Sequence, residues 1–125
     1  MANWQSWVTS TDITAATIIH NGSDETETID NSGKISHEVS VIATYGAATE
    51  GLEVYILRKH GSGVSDFQSI GDKPFSVGRL HITPSATHRL VFSVPSEMVG
   101  EFRVGLWNRS GASVTAVTVK YRPSI

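Results

Sequence analysis

The chain of 125 residues contains no cysteine. That absence removes disulfide staples and thiolate metal ligands together, so apolar burial has to stabilise the fold. Charge of either sign is not in excess: ten Lys and Arg against twelve Asp and Glu leave a formal −2. A balance of that kind exerts no long-range pull on DNA, RNA or anionic membrane, and nucleic acid is not expected as a partner. No apolar run approaches the roughly 18 residues of a membrane-spanning helix, and the N-terminal Met-Ala-Asn-Trp-Gln-Ser-Trp has neither a basic nor an apolar region of the signal-peptide kind. The sequence therefore predicts neither membrane insertion nor export by that route. Amphipathic helices of useful length, internal repeats and low-complexity tracts are missing too.

What is present is β texture. Hydrophobic residues make up 39% and charged residues 18%, an ordinary composition for one globular domain of this length. Ile13 to Ile19 is rich in β-branched residues and ends at His20-Asn21-Gly22-Ser23, a turn signal. Asp24 to Asp30 reads as a short edge strand blunted by charge; its four acids lack the spacing of a calcium loop. From Ile35 to Tyr45 one face, including His37, Val39, Val41, Ala43 and Tyr45, alternates with a more polar one. Leu52 to Lys59 has apolar residues on both faces, as in a central strand or one whose outer face meets a partner. Phe67 and Ile70 are expected to pin the following segment to the core. Phe75 to Thr83 and His88 to Val94 read as further strands. Glu101 to Tyr121 reads as a β-hairpin turning at Asn108–Gly111, with Phe102, Val104 and Leu106 facing inward. Seven or eight short strands predict a single antiparallel β-sandwich over residues 1–125, jelly-roll or Greek-key, with an N-terminal arm over about residues 1–12.

Catalytic and metal motifs are wanting. His20, His37, His60, His81 and His88 do not fall at zinc-type spacings; His81 and His88 only flank one turn. There is no G-x-S-x-G elbow and no phosphate-binding glycine loop, while Glu53, Glu97 and Glu101 read as solvent-facing. The sequence thus predicts no enzyme, no cofactor and no metal. The residues that invite function are aromatic. Trp4 and Trp7 lie too close together to hang in water and are expected either to cover an open end of the core or to meet another subunit. If Phe102, Val104 and Leu106 face the core, Trp107 points away, beside Arg109; Tyr55 points outward too. Trp, Tyr and Arg dominate interface hot spots, so Trp4, Trp7, Tyr55, Trp107 and Arg109 are the candidate contact residues. The rival from another class is a carbohydrate-binding module, which predicts Trp107 and Tyr55 exposed on one flat face, ready to stack on sugar rings.

The runs HEVSVIATYGAATEGLEVYILRKHGSG and DFQSIG, a later FSV strand and the closing EFRVGLWNRSGASVTAVTVKYR are similar to small all-β virion structural proteins of tailed bacteriophages. The resemblance spans roughly residues 35 to 122. It implies a head-decoration, head–tail or tail subunit that docks on a larger protein assembly. It further implies capsid or tail proteins as partners, a homo-oligomer, and a place in the virion after assembly in the host cytoplasm. The pattern names no site, and no functional residue is carried over from it.

Overall fold

The structure is a computed structural model that describes residues 3–47, 51–60, 63, 66–72, 74–80, 86–97, 100–109 and 111–125. Among the described residues ten strands run β1 Val8–Thr9, β2 Ala16–Ile18, β3 Ser23–Glu25, β4 Ile29–Asp30, β5 Ser36–Tyr45, β6 Glu53–Arg58, β7 Phe75–Arg79, β8 Thr87–Pro95, β9 Glu101–Trp107 and β10 Val114–Ser124. A single turn of 3₁₀ helix spans Ile70–Asp72. The first sheet has the order β1-β10-β5-β8, with β2 also on β10; the second has β3-β9-β6-β7, with β4 also on β9. Every pairing is antiparallel. β5 pairs with β10 and β8 while β6 pairs with β9 and β7, and the chain crosses between the sheets from β5 to β6 and again from β7 to β8, β8 to β9 and β9 to β10, as in a jelly roll. The expected all-β sandwich is therefore what the chain forms.

Alternation explains the core. His37, Val39, Val41, Ala43 and Tyr45 of β5 face Val54 and Ile56 of β6 and Phe102, Val104 and Leu106 of β9, with Val114, Val117 and Val119 of β10 closing the layer. On β10 the inward set is not the simple Thr115, Val117, Val119, Tyr121 alternation. Ala116, at φ 50°, sits in a register shift between Thr115 and Thr118, which turns Thr115 outward and Val114 inward.

Residues 101 to 121 do not form a hairpin. β9 belongs to the second sheet and β10 to the first, and the two face each other across the core instead of lying side by side. Both strands are amphipathic, so side-by-side and face-to-face packing satisfy the same alternation. The connection decides between them. Asn108 is fully buried, and its Nδ2 donates to the carbonyls of Ile18 at 2.7 Å and Ala112 at 2.8 Å. Its backbone is clasped from both sides, Asn21 N–H to Asn108 O at 2.6 Å and Asn108 N–H to Gly22 O at 2.9 Å. Asn108 thus pins the end of β9 to the end of β2 and to Ala112.

One polar pair sits inside the apolar layer. His37 Nδ1 is 2.8 Å from Asn31 Oδ1, and Asn31 Nδ2 donates to Val94 O at 2.8 Å. Burial first, and then the charge of Lys34, push the His37 pKa below its ordinary 6.5; Asp30 opposes them weakly. A histidine held neutral in the fold binds its proton more readily once unfolded. Its stabilising contribution is therefore complete above about pH 6.5 and is lost as the pH falls from there through the depressed folded value. Urea midpoints measured from pH 7.5 to 5 should decline for the wild type, and His37→Gln, which cannot protonate, should flatten that decline. A slope that the substitution leaves unchanged would assign the pH dependence to other groups.

Candidate functional site

The five candidate residues fall into two clusters on the outer faces of opposite sheets. Tyr55, Trp107 and Arg109 are together on the second sheet. β6 and β9 pair so that Trp107 is opposite Glu53 and Tyr55 is opposite Gly105, which places both aromatic side chains on the face turned away from the core. Both are half-buried.

Between them lies a residue that sequence reasoning placed in solvent. Glu53 is only 8% exposed. Tyr55 Oη donates to its Oε1 at 2.8 Å, while its Oε2 is buried with no hydrogen-bond partner among the described residues. Two half-exposed guanidinium groups flank the carboxylate, Arg79 Nη2 at 3.9 Å from Oε1 and Arg109 Nε at 3.8 Å from Oε2. Arg109 also stands over the Trp107 ring, 4.9 Å from its centroid. Burial, then the hydrogen bond to Glu53, raises the Tyr55 pKa above the ordinary 10 and keeps the phenol a donor. Period-2 alternation sets Glu53 on the same face as Tyr55 and Leu57 but does not show that it is buried there.

A neighbouring segment bounds this patch. Lys59 bridges to Phe67, Gln68 N–H donates to Arg58 O at 2.9 Å, and Arg103 lies 4.3 Å over the Phe67 ring. Ile70 and Leu57 converge on Gly105, where a Cβ would come within 2.8 Å of Ile70 Cδ1 and 3.0 Å of Leu57 Cδ1. Leu57 is fully buried here, outside the main core. The second apolar face of β6 is covered by the protein's own residues 67–72. Phe67 and Ile70 therefore anchor a satellite cluster on the outer face of the sheet and not, as expected, the central core. The result is a step: a covered half of the sheet beside an open half that carries Tyr55, Trp107, Glu53, Arg79 and Arg109.

Trp4 and Trp7 are on the other side of the sandwich. Trp4 bridges to Ser124, Gln5 N–H donates to Pro123 O at 2.9 Å, and Val8 pairs with Tyr121, so the arm runs along β10. Arg122 lies 5.2 Å from the Trp4 ring centroid and 4.5 Å from that of Trp7. Its Nη2 and Nε both donate to Glu38 Oε1, at 2.7 and 3.1 Å. Neither indole caps an open end of the core; both lie along the sheet edge. Deeper in the same edge Glu27 accepts from Ser10 Oγ at 2.6 Å and Tyr121 Oη at 2.9 Å. Burial opposes ionisation of Glu27, but its hydrogen bonds, led by that from Ser10, outweigh burial and lower its pKa. Burial and the same carboxylate push Tyr121 up to about 12. This acid is a structural clasp and not a solvated edge residue.

Among the described residues no group of three metal-ligating side chains converges. His88 is half-buried with its ring 6.2 Å from that of Tyr45, and His81 lies outside the described residues.

No protein-family model matches the chain, and neither does any curated protein. Among solved structures it is similar to a CBM4 carbohydrate-binding module at 13% identity and a TM-score of 0.50, over 99% of this chain and 78% of that one. It is also similar to the C-terminal CBM6 of LamC, a marine laminarinase from Zobellia galactanivorans, at 15% identity and a TM-score of 0.47 over 92% of each chain. At 13% identity the first likeness shows a shared sandwich fold alone. The first neighbour nonetheless overturns the expectation of a phage virion subunit with capsid or tail partners. The strand texture of residues 35 to 122 belongs to a sandwich that a carbohydrate-binding module also has.

Proposed function

We propose that this protein is a non-catalytic carbohydrate-binding domain whose ligand lies on the open half of the second sheet. The observation that carries this reading is the placement of Tyr55 and Trp107 on one outer face around the buried carboxylate of Glu53, with Arg79 and Arg109 at its sides. A pyranose has an apolar C–H face and a rim of hydroxyls. Indole and phenol rings offer the area for the first, and fixed charged groups offer strong hydrogen bonds for the second. Arg109 rests on Trp107 and over Glu53 Oε2. A sugar ring stacking on the indole displaces that guanidinium toward its hydroxyls and uncovers Oε2 as an acceptor. The sandwich shared with a CBM4 module supports the same reading at the level of fold.

Titration of intrinsic tryptophan fluorescence with soluble β-glucan, xylan, mannan, galactan and pectin tests it. At least one should change the emission saturably and retard the protein in an affinity gel. Silence in both measurements across all five would overturn the reading.

A further inference from the structure

The opposite outer face has a built surface that the site above does not use. Extending the β1–β10 register by one residue sets Trp7 opposite Arg122, which pairs with Glu38, which pairs with Ser93. One row along, Trp4 is opposite Ser124, then Ser36, then Pro95. Two parallel rows thus cross the sheet from the N-terminal arm to β8, three inter-strand steps or about 14 Å. At the arm end are the indoles, with Trp7 39% exposed. At the β8 end is a shallow recess of about 500 Å³, lined by Lys34, Ile35, Ser36, Ser93, Pro95 and Glu97 among others, a volume in the range of small-ligand sites.

The chemistry of these rows is that of an extended polar chain with apolar ring faces. Hydroxyls of Ser36 and Ser93 and the charges of Lys34, Glu97, Glu38 and Arg122 supply donors and acceptors; the indoles and Ile35 supply apolar contact. Arg122 is held by Glu38 and lies within about 5 Å of both indoles, which fixes their attitude before any ligand arrives. A fully apolar partner would leave these charges without water, and a nucleic acid would meet Glu38 and Glu97.

We propose that this face is a second carbohydrate-binding surface, so that the protein is divalent and bridges two polysaccharide chains. The inference rests on the carbohydrate reading of the first face. The two surfaces look outward from sheets packed about 10 Å apart and so point in opposite directions. One chain segment therefore does not occupy both, and the second site engages another chain.

The test is a bridging assay with the full chain. Beads coated with each of the five polysaccharides are loaded with protein, and capture of the same polysaccharide in soluble, fluorescently labelled form is measured. The wild type should capture it. Ser93→Arg, which fills the recess from an exposed position, and Trp7→Ala should each lower capture at least tenfold while the protein still binds the beads. Tyr55→Ala/Trp107→Ala should do the same through the other face. Circular dichroism confirms folding of each variant. Bead binding by the wild type without capture would overturn the second site and leave the first intact. Capture unaffected by both Ser93→Arg and Trp7→Ala would also overturn it. Absence of bead binding to all five polymers would remove the carbohydrate reading itself, and the inference with it.

Discussion

Trp107→Ala is expected to weaken glycan binding by about 2 kcal/mol, roughly 30-fold, the loss associated with a central aromatic anchor. Thermal stability should change little by comparison. The indole lies on the outer face of its sheet, half-buried, opposite Glu53 and Ser23, and the core side of β9 is made by Phe102, Val104 and Leu106. Removing it withdraws area from a surface and leaves no interior cavity. Isothermal titration with the glycan that responds in fluorescence, alongside a melting curve, separates the two quantities. A variant that binds as the wild type does but melts many degrees lower would make Trp107 a covering residue of its own domain. Tyr55→Phe is a milder companion: it keeps the ring and removes the donor to Glu53 Oε1, so its loss measures how far that carboxylate depends on being held.

The largest expected effect on stability comes from a residue with no side chain. Gly51 precedes β6, and a methyl group there would run into the carbonyl oxygen of Leu80. Leu80 is buried, and its N–H donates to Leu52 O at 3.0 Å, tying the end of β7 to the start of β6. A flexible side chain could move aside, but a backbone carbonyl in that position moves only with its strand. Gly51→Ala should therefore cost about 3 kcal/mol, the upper part of the range for overpacking. At this chain length that corresponds to a melting point lower by roughly 10 °C. A shift of less than two or three degrees would mean that the Leu80 segment adapts freely.

Period-2 alternation carried most of the fold that could be read in advance. β5, β8 and β9 fall where Ile35–Tyr45, His88–Val94 and Glu101–Trp107 alternate, because each has one apolar face in the core and a more polar one turned away from it. Alternation says which face is buried and nothing about which strand lies alongside. That is why residues 101 to 121 read as a hairpin although the information separating β9 from β10 is in Asn108, a polar residue in a turn-like run. Its side chain donates to residues 90 and 4 positions away, and the first of these bonds is invisible to local pattern. The bulge at Ala116 was hidden for a related reason, since one extra residue shifts the phase without changing composition.

The candidate site divides in the same way. Tyr55 and Trp107 were legible as outward aromatics, and their meeting on one face follows from the β6–β9 register. Glu53 and Arg79 were not, because a charged residue in a strand reads as solvent-facing by default. What overrides that default is the phenol that bonds Glu53 and the two guanidinium groups beside it, contributed by three different strands or their ends. Trp4 and Trp7 were legible as residues needing cover, but not as partners of Arg122, which is more than a hundred positions away and meets them only when the arm runs along β10.

The passage of the chain from β9 in one sheet to β10 in the other has a kinetic consequence. β10 is the central strand between the N-terminal pieces β1 and β2 on one side and β5 on the other. Until residues 114–124 leave the ribosome, the arm bearing Trp4 and Trp7 has no strand to run along, and β5 has an open edge. Pairings of such long sequence separation form slowly. Nascent chains of this protein are therefore expected to keep the first sheet unsealed until almost the whole domain has been synthesised, although the strands of the second sheet are all made by Trp107.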